Sequence, residues 1–163
     1  MPRLGVRRLS SQIFASQLAI LIATVVMGFV LFAHQERGQL DRQYEQRSVA
    51  IAQTVADMPD VQICVEHPSG GCAALVQARA TKVQFETKAA YVVVIDMNRV
   101  RHSHPDSNLI GDQVEEPIVT IDGQTHAGID HGATGRSANG KAPMYSADGA
   151  MIGEVSVGIK ESA

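Results

Sequence analysis

Within Arg99–His104, "RVRHSH", two arginines and two histidines are packed into six residues that end at Pro105. The segment follows the apolar run "YVVVID", so dense positive potential sits beside what reads as a buried strand. Arg101 offers a planar fork of N–H donors that matches a carboxylate through two parallel hydrogen bonds. In an extended strand, residues two apart share a face, so Arg101 and Ser103 are expected to point the same way. His104 precedes a proline and is expected to be extended at the strand end, where a bend can bring its ring to the same side. A second cluster lies in "ATGRSANGKAP", residues 133–143, where Arg136 and Lys141 supply charge and Asn139 an amide. It reads as a glycine-rich loop, with Gly132, Gly135 and Gly140 letting the backbone approach a ligand. Ser156, between two valines in "GEVSVG", is expected on an inner face and needs a partner there. The chemistry that these residue types share is the binding of a small anion.

A metal-binding reading competes with it. His102, His104, His126, Asp130 and His131 carry imidazole and carboxylate donors that suit zinc or copper, and they make an exported metal-binding module the alternative. No tight ligand quartet can be read from their spacing.

The elements that must position these residues come in a simple order. Ile13–Ala33 is a stretch of 21 residues without a charge, and about 20 suffice to cross a bilayer as a helix. Arg3, Arg7 and Arg8 precede it with no acidic residue among them, which predicts a cytoplasmic N-terminus, residues 1–12. A cleaved signal peptide has a shorter apolar core, about 7–15 residues, so an uncleaved transmembrane anchor is the better fit. Residues 34–57 read as a long membrane-proximal helix, with Val49, Ile51, Ala52, Val55 and Ala56 at helical spacing and Met58-Pro59 ending the run. A second helix follows in "CAALVQARATKVQFETKAA". The periodicity then changes to that of strands: "YVVVID", "VRHSH", a pair around Asp122-Gly123 in "PIVTIDGQTHAGI", and a pair around Asp148-Gly149 in "KAPMYSADGAMIGEVSVGI". The class is α+β, with helices on one face of an antiparallel sheet of about five strands.

Cys64 and Cys72 flank "VEHPSGG", in which Pro68, Gly70 and Gly71 let the chain reverse. In an oxidising compartment they are expected to form a structural disulfide; the alternative is two independent small apolar residues. The chain of 163 residues has net charge −3, three Tyr, four Phe and no Trp. Few aromatics and no basic stripe argue against nucleic-acid binding. Setting Arg3, Arg7 and Arg8 aside leaves 11 of the 14 Lys and Arg against 17 Asp and Glu. Any anion site is therefore a local arrangement rather than a property of the whole surface.

Three segments together, "YVVVIDMNRVRHSHPDSNLIG", "NGKAPMY" and "GAMIGEVSVGI", resemble the extracytoplasmic sensor domain of CitA/DcuS-type sensor histidine kinases, and the likeness runs over roughly residues 1–160. The resemblance implies a PAS-like, single-cache domain over residues 58–160, whose five-stranded antiparallel sheet forms a cup for citrate or a four-carbon dicarboxylate. It implies that Arg101 and His104 grip the ligand, that Lys141, two residues before a proline, assists, and that Ser156 adds a contact; Ser103 and Asn139 are expected to complete the hydrogen bonds. Asn139 departs from the pattern, which carries an arginine there. No cofactor is implied. Such proteins continue into a second membrane span, a cytoplasmic PAS domain and a kinase core that works with a response regulator. This chain stops at "SVGIKESA", with residues 161–163 where the second span is expected, so it is not expected to be an enzyme by itself. A fragment, a truncated product and a stand-alone receptor are the expectations left open. Pairing of the long helix with its twin makes a homodimer the expected assembly, although Leu40–Ser48 is too polar for a clear coiled-coil seam.

Overall fold

The computed structural model describes residues 4–132 and 135–160, without the side chains of residues 4–10, 35–37, 131, 132 and 135. Contacts divide the chain into two units, Met1–Leu40 and Asp41–Ala163.

The first unit is helical. Helix α1 (Leu4–Ala56) begins in it, and its apolar stretch is exposed, with Phe14, Ile20, Val25 and Phe29 uncovered by protein. One helix of the described residues is thus long and apolar enough to cross a membrane.

The second unit takes in the last part of α1, then α2 (Pro59–Glu66) and α3 (Cys72–Thr87). Pro59 opens α2, a position where its missing N–H costs nothing. Five strands follow: β1 (Tyr91–Asp96), β2 (Arg101–Ser103), β3 (His126–Gly132), β4 (Gly135–Tyr145) and β5 (Met151–Lys160). They form one antiparallel sheet in the order β2-β1-β5-β4-β3. The protein is therefore α+β, an apolar N-terminal helix followed by a five-stranded antiparallel sheet with helices packed on it.

Alternation sorts the sheet into two faces. Val92 and Val94 of β1, Ala142 and Met144 of β4, and Val155 and Val157 of β5 face the helices. They pack with Ile51, Ala52 and Val55 of α1, Val61 and Val65 of α2, and Val76, Ala80 and Val83 of α3. Cys64 of α2 and Cys72 of α3 are joined as a disulfide across the short turn. Closing a loop of that length contributes about 2–3 kcal/mol in the chain-entropy account.

The residues read as a glycine-rich loop are instead strand, from Gly135 into β4; Ala133 and Thr134 lie outside the described residues. Gly140 does not face a ligand. A Cβ there would lie 2.3 Å from the Val49 amide nitrogen and 2.5 Å from the Ser48 carbonyl carbon, so the glycine exists to let α1 lie directly on β4. Gly140→Ala is expected to cost about 2 kcal/mol through overpacking, read as a lower urea midpoint by circular dichroism.

The pair of strands expected around Asp122-Gly123 is also different. Only His126–Gly132 is a strand, and Thr120–Asp122 is a 3-10 turn. The amides of Val119 and Thr120 bond the Glu154 carboxylate, which leaves them unavailable for a strand ladder. The Asp148-Gly149 hairpin between β4 and β5 is present, with Gly149 at φ +85°.

Candidate ligand-binding site

The sheet face opposite the helices lines a cavity of about 680 Å³. Strand register determines who meets whom in it. Lys141 of β4 pairs with Ser156 of β5, which pairs with Val93 of β1. One step along, Asn139 pairs with Gly158 and Gly158 with Tyr91; one step the other way, Glu154 pairs with Ile95, and Ile95 with Arg101 of β2. Arg101, His104, Asn139, Lys141 and Ser156 all line this cavity.

Ser103 does not join them. Its side chain is buried on the helix face, where Oγ accepts from the Val94 amide at 2.9 Å and donates to the Val92 carbonyl at 3.3 Å. The reason is a bulge. Ser103 pairs with Val94 but Arg101 pairs with Ile95, so His102 is an extra residue and the alternation slips by one. Arg101 and Ser103, two apart in sequence, therefore face opposite ways. Ser103 ties β2 to β1, a positioning task.

Each cation is held differently. Arg101 donates through Nη1 to the Gln113 carbonyl at 3.2 Å, and among the described residues no carboxylate pairs with its guanidinium. The segment carrying Gln113 runs along the outer edge of β2, with the Arg101 amide donating to the Asp112 carbonyl. Lys141 Nζ stands 3.7 Å from Glu116 and 3.8 Å from Glu154. The ring of His104 is braced by Asp106, whose amide lies 3.0 Å and whose carbonyl lies 3.1 Å from Nδ1. With Nδ1 accepting the Asp106 amide, Nε2–H is left as a donor. The His104 backbone is clamped by Gln77 of α3, which bonds both its N–H and its C=O at 3.0 Å.

Glu154, Glu116 and Tyr91 are not among the expected site residues, yet they line the cavity. Glu154 is 2% exposed, and its Oε2 accepts from the Val119 amide, the Thr120 amide and the Thr120 hydroxyl, each at 3.0 Å. Its position two residues before Ser156 on an otherwise apolar strand is the one available signal, since alternation puts both on one face. Burial pushes the Tyr91 phenol above its ordinary value; a hydrogen bond with Ser156 opposes the shift, and the carboxylates of Asp130 and Glu116 add to it.

The donors considered for a metal are dispersed. His102 faces Asp96 at 3.5 Å, His126 faces Asp122 at 3.1 Å, and Asp130 accepts from the Asn139 amide. The side chain of His131 lies outside the described residues. Among the described residues no three His, Cys, Asp or Glu side chains are grouped to hold a metal ion. Arg136 turns to Asp41 of α1, 2.7 Å away, on the face opposite Asn139.

Residues 35–163 match the family described as Single cache domain 3. The chain belongs to the single cache domain family. This cache domain is 28% identical over 144 residues to the sensor protein CitS of Halalkalibacterium halodurans, covering 85% of this chain and 26% of that protein. It is 23% identical over 160 residues to the sensor histidine kinase DcuS of Escherichia coli K12, covering 95% of this chain and 28% of that protein. The chain thus spans about a quarter of the length of these relatives. Among solved structures, the crystal structure of the E. coli DcuS sensor domain superposes with a TM-score of 0.63 at 25% identity, covering 74% of this chain and 90% of that one. The Vibrio cholerae DctB sensor domain shares the fold at a TM-score of 0.64 and 16% identity, over 80% of this chain and 56% of that one.

Proposed function

We propose that this cache domain is the extracytoplasmic sensing part of a two-component sensor histidine kinase, anchored in the cytoplasmic membrane by α1, and that it binds a small organic carboxylate. The observation that carries the reading is the guanidinium of Arg101, which has no carboxylate partner among the described residues and lines the same cavity as the Lys141 ammonium. The relatives' names, sensor proteins and sensor histidine kinases, support the signalling role.

Arg101 and Lys141 come from β2 and β4, the first and fourth strands in the sheet order. Three strand spacings, about 14 Å, and a two-residue offset along the strands, about 7 Å, separate their backbones. Two long side chains reaching inward can close on one carboxylate of a small molecule, with His104 and Ser156 as further donors. A carboxylate touching both side chains favours a sheet drawn together over one splayed apart, and a ligand shifts conformation only through such differential contacts. The displaced β5 and its neighbours then carry the signal. Titrating the full chain in detergent micelles with mono-, di- and tricarboxylates is expected to give saturable, salt-sensitive binding. No binding of any carboxylate contradicts the reading.

Glu116 occupies the place by Lys141 that a ligand carboxylate takes, and its side chain is 77% exposed. An exposed ion pair is worth well under about 1 kcal/mol, so the exchange is easy. Glu116→Gln is expected to tighten carboxylate binding by about threefold, as measured by calorimetric titration; weaker binding would mean that Glu116 supports the site.

A further inference from the structure

Two cations, Arg101 and Lys141, and five carboxylates, Asp112, Glu115, Glu116, Asp130 and Glu154, line the cavity. Along the strands Arg101 lies in the row of Glu154, Lys141 in that of Ser156 and Asp130 in that of Lys160. Glu154 is neutralised within the fold by its three donors and Lys141. Asp130 is not: its carboxylate accepts from the Asn139 amide, and among the described residues no cation pairs with it. The Asn139 amide donates to Asp130 and is thereby turned away from service as a second anion-binding group. From Lys141 to Asn139, where the Asp130 side chain leans, is two residues along β4, or about 7 Å.

A plain dicarboxylate of that length sets its second carboxylate against Asp130, and like charges brought together in a binding site are disfavoured. A molecule with a carboxylate at one end and an ammonium at the other satisfies both. We propose that the ligand of this cavity is zwitterionic, an amino acid whose carboxylate is held by Arg101 and Lys141 and whose ammonium is held by Asp130. The proposal rests on the anion-pocket reading above and specifies its ligand class.

Three pairs of equal chain length separate the alternatives: β-alanine with malonate, 4-aminobutanoate with succinate, and 5-aminopentanoate with glutarate. Each is titrated calorimetrically into the full chain in detergent micelles. At least one zwitterion is expected to bind ten times or more tightly than its matched dicarboxylate, and Asp130→Asn is expected to erase that preference. If the dicarboxylates bind more tightly in all three pairs, or if Asp130→Asn folds and leaves the ratios unchanged, the zwitterion proposal is overturned while the anion-pocket reading stands. If neither class binds, both fail. The wild-type ratios need no variant, so a misfolded Asp130→Asn does not spare the proposal.

Discussion

Glu154→Ala is expected to destabilise the second unit by about 3–5 kcal/mol, since it leaves three donors in the buried Val119–Thr120 segment without their acceptor at about 1–3 kcal/mol each. The side chain is 2% exposed and gathers the amides of Val119 and Thr120 and the Thr120 hydroxyl onto one oxygen. Truncation strands these donors, and Thr120 is fully buried, so water cannot replace the lost acceptor without opening the structure. Glu154→Gln keeps a carbonyl oxygen for the same donors and loses the charge beside Lys141, so its cost is expected to be about 1–2 kcal/mol. Urea unfolding followed by circular dichroism measures both. Equal midpoints for wild type and Glu154→Ala would mean that the Val119–Thr120 segment is not held as described.

Arg101→Ala and Lys141→Ala are each expected to weaken carboxylate binding by ten- to a hundredfold, since a hydrogen bond to a charged group is worth about 1.5–3 kcal/mol and each 1.4 kcal/mol is tenfold. Arg101→Ala should not unfold the protein, because among the described residues its side chain makes one hydrogen bond, to a carbonyl; Lys141→Ala leaves the buried Glu154 carboxylate without its cation and is expected to lower stability, so its affinity is read on the folded protein. Ser103→Ala is the informative control. It removes the acceptor for the Val94 amide and so should lower stability, yet it should leave the affinity of the folded protein unchanged. Binding lost in Ser103→Ala but kept in Arg101→Ala would reverse the assignment of faces.

The strands β1 and β5 could be read from the sequence because both are dominated by apolar side chains, and the α+β class followed from the switch in periodicity. What could not be read was parity. A single extra residue, His102, inverts the relation between Arg101 and Ser103, and nothing in "RVRHSH" marks it. Residues 141–145 read as strand, but the first half of β4 is disguised by Gly135, Asn139 and Gly140, residues usual in loops; Gly140 is there because α1 lies against the strand, a contact between residues some ninety apart in sequence. The same long-range cause took "PIVT" out of the sheet, since the acceptor for its amides sits on β5. Asp130 and Glu116 belong to no motif and join the cavity only through register and loop path. Local pattern thus gave the elements and most of the cations, while the acidic groups that decide what those cations can hold came from tertiary placement.

In the proposed binding mode one anion is gripped at once from β2 and β4. Nitrogen-detected magnetic resonance of the full chain in micelles can follow the Arg101 guanidinium and the Lys141 ammonium during titration with a carboxylate that binds. Both signals are expected to move with one shared dissociation constant. Movement of only one of them, or of the two with different constants, would show that they do not clasp the same molecule.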